Sequence, residues 1–414
     1  MPTMRKGIMR GNVPIYALLG VLAATAFARA GVLAAAQPGV PEDTSSTRGG
    51  WVKYAVNPLP SLDWSTYGTI FDITVLPVAD SLKMWVSWRA NSCNAYTHGK
   101  DGIKWSKPVC VLGTTNSGWE DNINRLSVLF HNGMYHMWYT GQANGTSKIG
   151  YATSLNGIDW TRKNNGQPVL SAATGWEKPS VMNPNVIWDS TSGNFKMWYC
   201  GGEDYEPDAV GYATSPDGIA WTKHAGNPVF AKVPGHPWEA VKVAGAQVIK
   251  DPWGPGGRKG YLMFYIGYRT VDSTDICMAF SENGITDWIR YADNPIISPS
   301  KNNGFDASAC YKPFAVLRGN QWQLWYNGRN GAPEQIALAT HVGADLGFPP
   351  VVVSTAPSGL AIDARPKARP VFLFQAGEVL FPGVGSGSNR PLVNVSGQVK
   401  RTLRSDRGLR SSPR

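Results

Sequence analysis

The chain has 414 residues, of which 43% are hydrophobic and 16% charged, with 46 glycines, 30 prolines and 17 tryptophans. This composition is typical of an all-β globular protein with many turns, and no long segment has the apolar spacing of a helix. The formal net charge of +10 lies mostly in the two terminal segments. It therefore indicates no nucleic-acid partner, and no membrane contact beyond an export signal.

The first 36 residues have the pattern of an export signal. A basic start precedes an apolar run from Val13 to Ala28, and small residues that suit cleavage follow it. An uncleaved membrane anchor is the alternative, which Arg29 disfavours because it interrupts the apolar run. We expect a signal peptide at 1–36, a linker at 37–50, and a protein that is secreted, periplasmic or at the cell surface.

One sequence pattern then recurs five times. Each copy has an aromatic-rich segment, and four copies continue with a turn that ends in tryptophan and with a Pro-aliphatic pair. The aromatic segments are LKMWVSW (82–88), YHMWYTG (135–141), FKMWYCG (195–201), YLMFYIG (261–267) and WQLWYNG (322–328). Copies of roughly 50–65 residues with about four short strands each indicate propeller blades. The sequence therefore predicts an all-β, five-bladed β-propeller with four antiparallel strands per blade.

The fifth copy ends early, and its missing strand occurs at the start of the repeat region. This copy stops at 336–340 without a turn–tryptophan unit, while residues 51–54 match the outer strand of the fourth copy. We expect this N-terminal strand to complete the last blade, because a closed ring leaves no open sheet edge. The propeller would span 51–342, and 343–414 would form an extension that is mostly a disordered basic tail.

The turns between the third and fourth strands are predicted to be structural. In each turn an Asp or Asn side chain accepts backbone N–H bonds, a glycine takes the left-handed conformation and the tryptophan packs between sheets. These acceptor residues are Asp101, Asn156, Asp217 and Asn283.

Five cysteines allow at most two disulfides. A hairpin that turns at Asp101-Gly102 would place Cys93 opposite Cys110, within bridging reach, although two small buried thiols are the alternative. The three other cysteines are expected to be free thiols in the core.

An aromatic residue followed by an acid precedes the inner strand in four blades, as Trp119-Glu120, Trp176-Glu177, Trp238-Glu239 and Phe305-Asp306. An acid repeated at one position favours a structural role, with bonds to backbone amides of the neighbouring blade. Recruitment of one of the four for catalysis remains the alternative.

One acid is not repeated. Alignment of the inner strands puts Asp72 level with Arg125, Asn183, Gly245 and Lys312. Because the first residues of inner strands line the top of a propeller channel, this single acid makes Asp72 the best candidate for a functional carboxylate.

These features resemble the five-bladed propeller glycoside hydrolases, the superfamily that holds families 43, 32, 62, 68, 117 and 130. The resemblance covers residues 51–342 and is nearest to uncharacterised bacterial members. It is carried by Phe71-Asp72-Ile-Thr-Val at the start of blade one, by NFKMWYCGG (194–202) and by YATSPDGIAWTKHAGNPVF (212–230).

The resemblance implies a pair of carboxyl groups, because glycosidic cleavage needs a proton donor and a second carboxylate that activates water or attacks the sugar. Carried over by position, it implies Asp72 as base or nucleophile, Glu177 as general acid and Asp121 as an orienting carboxylate. The residues predicted to bind substrate near the channel are Trp88, Arg89, Arg125, Asn183, Glu203, Tyr268, Arg269, Lys312 and Arg329.

The leading hypothesis is an exported glycoside hydrolase that acts on a polysaccharide or oligosaccharide, with arabinofuranosidase-like or fructosidase-like specificity. A non-catalytic propeller that binds a glycan or a protein is the alternative. The six histidines are scattered, so no metal site and no cofactor are predicted; the structural Ca²⁺ of some family 43 propellers has no support in this sequence. The expected partner is a carbohydrate, and the expected state is a monomer.

Overall fold

The computed structural model describes residues 46–173, 175–203, 207–254, 257–331 and 333–348, with the backbone of 374–375 and 378–379. The predicted signal peptide, most of the linker and nearly all of the C-terminal extension lie outside these residues. The chain divides into two compact units, residues 1–349 and 350–414. Within the described part of the chain, none of the helices has both the length and the hydrophobicity that a membrane crossing requires.

Five antiparallel four-stranded sheets form the described part of the first unit, one sheet for each sequence copy. Blade one contains β2 (Ile70–Val78), β3 (Ser81–Trp88), β4 (Cys93–Gly99) and β5 (Val109–Gly113). Blade two contains β6 (Asn122–His131), β7 (Met134–Ala143), β8 (Thr146–Ser154) and β9 (Thr161–Arg162). Blade three contains β10 (Ser180–Asp189), β11 (Asn194–Gly202), β12 (Pro207–Ser215) and β13 (Thr222–Lys223). Blade four contains β14 (Lys242–Lys250), β15 (Tyr261–Tyr268), β16 (Thr274–Ser281) and β17 (Ile289–Arg290). Blade five contains β18 (Ala309–Arg318), β19 (Gln321–Arg329), β20 (Glu334–Val342) and β1 (Trp51–Lys53).

The innermost strands form the wall of a central channel. Strands β2, β6, β10, β14 and β18 contact one another in turn, and β18 contacts β2 again. The predicted five-bladed propeller is thereby confirmed. We call the end of the channel where these strands begin the upper face.

Short helices lie in the connections, one of them between β3 and β4 of blade one and the others between blades. They are α1 (Trp64–Tyr67) and the 3-10 helices Pro60–Leu62, Arg89–Asn91, Asn164–Gly166, Gly175–Glu177 and Pro237–Glu239. The second unit contributes a short hairpin of β21 (Phe374–Gln375) and β22 (Glu378–Val379).

Strand β1 closes the ring as predicted. It pairs with β20, with Trp51 opposite His341, and so forms the outer strand of blade five. The indole of Trp51 packs edge-on against Phe264 of blade four, at 5.9 Å between ring centroids. Blade four carries phenylalanine where the other blades carry tryptophan, and the N-terminal tryptophan fills the adjoining space.

The turn–tryptophan units join neighbouring blades. In the turn of blade one, Asp101 Oδ1 accepts hydrogen bonds from the N–H groups of Ile103 and Lys104 at 2.8 Å. Gly102 has a φ of +84°, as predicted for a structural turn. A buried tryptophan of the preceding blade donates to the carbonyl of the turn glycine. These bonds are Trp325 to Gly102, Trp85 to Gly157, Trp138 to Gly218 and Trp198 to Gly284, at 2.8–2.9 Å.

Cys93 and Cys110 form a disulfide with 5.9 Å between their Cα atoms, in agreement with the prediction. The predicted register is wrong, because Cys110 lies opposite Ala95 and Cys93 lies opposite Gly113. A register shift between Asn94 and Ala95 moves β5 along β4, so the bridge runs diagonally across the strand pair. The remaining cysteines are buried thiols, as expected: Cys200, Cys277 and Cys310.

Candidate functional site

Each inner strand carries a bulge at the same level, and the bulge residues surround the upper end of the channel. The register of every inner strand shifts at this level. The bulge residues have φ angles of +51° to +55° and all line one cavity: Asp72, Arg125, Asn183, Gly245 and Lys312. This is the level that alignment of the sequence copies assigned to them.

A positive φ is costly for residues other than glycine, so the side chains at these bulges require an explanation. Blade four has a steric reason for glycine, since a Cβ on Gly245 would lie 2.4 Å from the Cδ1 atom of Ile266. The four other bulges hold polar or charged side chains that face a shared cavity. Strained backbone of this kind is typical of functional sites.

Asp72 is the one carboxylate among the described residues that line this cavity. It is 4% exposed. Its Oδ2 atom accepts the backbone N–H of Arg125 at 2.9 Å, and its own N–H donates to Asn327 at 3.1 Å. The Nζ atom of Lys312 lies 3.1 Å from its Oδ1 atom. These contacts fix the carboxylate in the cavity wall.

Lys312 connects two of the bulge residues. Its ammonium group contacts Asp72 and donates to Asn183 Oδ1 at 2.9 Å. Burial lowers the pKa of Lys312, and the Asp72 carboxylate opposes that change. The Asp72 carboxylate therefore favours the charged form of this buried side chain.

A second cavity opens above the first and shares Arg125 and Lys312 with it. It is also lined by Arg89, Tyr268, Tyr311, Arg329 and Glu334. Tyr311 donates its hydroxyl hydrogen to Glu334 at 2.5 Å, and Arg89 lies 2.9 Å from the other oxygen of that carboxylate. Burial, with Glu334 beside it, raises the pKa of Tyr311 well above its usual range.

Sequence reasoning missed Glu334 and Tyr311. Tyr311 immediately precedes the bulge residue Lys312, and Glu334 begins β20 directly after the upper-face loop that follows Arg329. Both positions carried a signal, because the first residues of inner strands line the channel and loops between second and third strands rise on the upper face.

The repeated acids lie elsewhere and share one arrangement. Each buried acid accepts a hydrogen bond from a tyrosine of the second strand and pairs with a cation of the outermost strand of its own blade. The sets are Glu120 with Tyr139 and Arg162, Glu177 with Tyr199 and Lys223, Glu239 with Tyr265 and Arg290, and Asp306 with Tyr326 and Lys53. The partners are mainly side chains of the same blade, which corrects the expectation of amides from the neighbouring blade. Each acid therefore links the segment before the inner strand to the second and outermost strands of its blade.

This placement does not suit Glu177 as the general acid. Burial opposes its ionisation, but bonds from Lys223, Tyr199 and the Ala173 amide outweigh burial and lower the pKa of Glu177. A proton donor needs a raised pKa. The structure therefore favours the structural alternative for Glu177.

The structure brings seven of the predicted residues to the two cavities, namely Asp72, Arg89, Arg125, Asn183, Tyr268, Lys312 and Arg329. The other five, counting Glu177, lie outside them. Asp121 is exposed and accepts the Gly118 N–H; Trp88 donates to the Tyr67 carbonyl at 2.6 Å; Glu203 pairs with Lys242 at 2.7 Å; and Arg269 pairs with buried Asp275. Within the described ranges no group of three or more His, Cys, Asp or Glu side chains is placed to hold a metal ion.

No family model and no curated protein matches the chain. Solved structures do match. A thermostable family-43 glycoside hydrolase has 19% identity and a TM-score of 0.52, covering 65% of this chain and 88% of its own. A second match has 17% identity and a TM-score of 0.54, covering 72% of this chain and 96% of its own. Its description concerns the family 130 mannoside phosphorylases, which contain glycoside hydrolases that target β-1,2-mannosidic linkages in Candida mannan. A protein solved as an RGII complex has 21% identity and a TM-score of 0.53, covering 66% and 87%. At these identities the similarity shows the fold, and the predicted resemblance to the five-bladed glycoside hydrolases is confirmed at that level.

Proposed function

We propose that the protein is a glycan-acting enzyme, a glycoside hydrolase whose reaction takes place at the upper end of the channel. The observation that carries this proposal is the unrepeated carboxylate of Asp72, buried in the lining of the cavity that the five bulges surround. The named glycoside hydrolases among the similar structures support it.

Hydrolysis of a glycosidic bond requires a second carboxyl group. Glu334 replaces Glu177 in our assignment, because it lines the adjoining cavity and Tyr311 orients it. The Arg89 side chain beside Glu334 is 55% exposed, so a ligand can displace it at little cost. The Lys312 side chain beside Asp72 is only 12% exposed, so a ligand displaces it less easily. We therefore assign Glu334 as the candidate proton donor, on its position and its displaceable cation, and keep Asp72 as the candidate base or nucleophile.

The finer features of the function are also proposals. The substrate is a polysaccharide or oligosaccharide, with arabinofuranoside or fructoside side chains as the first candidates. The export-signal pattern of residues 1–36 supports action outside the cytoplasm. The polar and charged side chains that line the two cavities suit the hydroxyl groups of a sugar.

The test is a screen of the purified protein against aryl glycosides and plant and microbial glycans, with Asp72→Asn beside the wild type. We expect the wild type to release sugar and Asp72→Asn to lose at least about a hundredfold in kcat/KM, with a loss of unfolding free energy of no more than about 1–3 kcal/mol from the unpaired Lys312. The matched control is Asp80→Asn, the same change at an exposed turn of the same blade, which should retain activity. Full activity of Asp72→Asn would remove this residue from the mechanism.

A non-catalytic glycan-binding or protein-binding propeller is the second candidate. The ion pair between Lys312 and Asp72 favours it, because the pair occupies the carboxylate at 3.1 Å. Calorimetric titration with the same glycans discriminates the two functions. If the wild type and Asp72→Asn both bind a glycan and neither releases sugar from any substrate, the binding function is established.

A further inference from the structure

The upper cavity carries more positive than negative side chains. Arg89, Arg125, Lys312 and Arg329 line it together with one carboxylate, Glu334. The second carboxylate, Asp72, lies in the cavity below. We propose that the upper cavity binds an anionic group carried by the glycan, the carboxylate of a uronic acid residue. The proposal rests on the function proposed above and narrows the substrate to acidic glycans.

The existing ion pairs of the cavity show where an added carboxylate would be attracted. Lys312 pairs with Asp72 and Arg89 pairs with Glu334. Arg329 lies 3.5 Å from Asp272, whose side chain is 86% exposed. An ion pair with so exposed a carboxylate is weak. A carboxylate brought into the cavity would give Arg329 a less solvated partner.

Aromatic rings hold two of the guanidinium groups against the cavity wall. Arg329 lies over the ring of Tyr311 at 5.9 Å, and Arg89 lies over the ring of Phe71 at 4.5 Å. A guanidinium stacked in this way keeps its N–H groups available, and its planar fork matches the two oxygens of a carboxylate. The Arg329 side chain is thus held at the cavity wall before a ligand binds.

The backbone at the bulges supplies an independent observation. Arg125 and Lys312 have φ angles of +51° and +54°, where glycine or asparagine would fold at lower cost. Two cations at these strained positions, both shared by the two cavities, are explained when their charge serves a ligand. Asn183, at the equivalent bulge of blade three, shows that a neutral side chain is compatible with this backbone.

The experiment is calorimetric titration of the full chain with oligomers of galacturonate and of glucuronate, each beside its methyl ester, and with inorganic phosphate. The titrations are made at low and at moderate salt. We expect an acidic oligomer to bind about tenfold or more tightly than its neutral ester, because a hydrogen-bonded ion pair is lost in the ester. Salt should weaken binding of the acid and leave binding of the ester unchanged.

The variants are Arg329→Gln, Arg329→Lys and the control Lys104→Gln, which removes an equal charge at an exposed lower turn. Arg329→Gln should reduce the preference for the acid to about twofold, leave ester binding unchanged and keep Tm close to that of the wild type. Arg329→Lys should retain part of the preference, and Lys104→Gln all of it.

Each outcome has one meaning. Equal affinity for acid and ester in the wild type would overturn the anionic-group proposal and leave the glycan-acting function standing. Phosphate binding that Arg329→Gln abolishes, without uronide binding, would assign the cavity to a free anion and overturn a glycan-borne carboxylate. If no uronide, no ester and no member of the neutral glycan panel binds, the proposed function itself fails.

Discussion

Asp72, Arg125, Asn183 and Lys312 occupy backbone conformations that favour glycine, at equivalent places in four different blades. Around them stand Tyr311 and Glu334, which sequence repetition does not mark. The phenol of Tyr311 remains protonated at neutral pH, because burial and the Glu334 carboxylate raise its pKa. It therefore acts as a hydrogen-bond donor that orients Glu334.

The first prediction concerns this hydroxyl group. Tyr311→Phe should lower kcat/KM on a substrate found in the glycan screen by roughly tenfold or more, because a bond to a charged group is lost. The cost in stability should be small, about 1 kcal/mol. Steady-state kinetics and urea unfolding measure the two effects. Tyr135→Phe is the control, since its hydroxyl group contacts Lys83 instead; equal loss of activity in both variants would contradict a specific role.

At the scale of the strands, the same acid–tyrosine–cation arrangement occurs in four blades. Each set links the segment before the inner strand to the second and outermost strands, as Glu177 does with Tyr199 and Lys223. Blades with short outer strands gain little from backbone pairing alone, since β9, β13 and β17 have two residues each. The buried ion pair fixes those strands.

The second prediction separates a structural from a catalytic role of Glu177. Glu177→Gln should lower the free energy of unfolding by about 1–3 kcal/mol, because Lys223 loses its carboxylate partner in a partly buried site. Activity per folded molecule should be retained. Glu239→Gln in blade four provides the matched comparison. Loss of activity in Glu177→Gln alone would return Glu177 to the catalytic assignment.

The third prediction concerns pH. Asp189, at the end of β10, pairs with Lys196 of its own blade at 2.6 Å and with Lys250 of blade four. Burial raises the pKa of Asp189, but these ammonium groups and the Thr191 N–H outweigh burial and lower it. A pKa that is lower in the folded than in the unfolded chain gives stability above about pH 4, and this stability disappears as the pH falls further.

Asp189→Asn should therefore be less stable than the wild type by about 1–3 kcal/mol at pH 6, and the difference should shrink towards pH 2. Urea unfolding at a series of pH values measures it. The exposed residue Asp80 provides a control variant, Asp80→Asn, with little effect at any pH. A difference for Asp189→Asn that is independent of pH would show that the carboxylate charge is not its cause.

At the scale of the whole molecule, stability depends on the closure of the ring. The N-terminal strand pairs with β20, Trp325 of blade five donates to Gly102 of blade one, and Lys53 pairs with Asp306. Residues far apart in the chain thus complete the last blade, and the Trp325 bond joins it to the first. Opening this junction exposes the edges of two sheets.

The fourth prediction tests this junction. Trp51→Ala should lower the free energy of unfolding by about 3–5 kcal/mol, the usual cost of removing a buried aromatic side chain. Trp51 is 2% exposed, whereas Trp64 is 43% exposed, so Trp64→Ala is the matched control and should cost far less. Thermal and urea unfolding measure both. Equal effects would mean that closure of the ring does not limit stability.

The repeats determined the architecture in advance. Five copies, a truncated last copy and its missing strand at the start predicted the blade count and the closure by residues 51–54. The level of Asp72 was predictable for the same reason, because equivalent positions in repeated strands lie at equivalent heights in the ring. These inferences depend on local periodicity, which a sequence contains.

Tertiary structure alone decided which acids line the channel. Glu177 and Glu334 are both close to strand ends in the sequence, yet one lies over its blade and the other lines the cavity. The path of each loop and the partner of each carboxylate determine this difference, and a register shift likewise moved Cys110 relative to Cys93. Distances between blades depend on packing around the axis, so no spacing within one blade contains them.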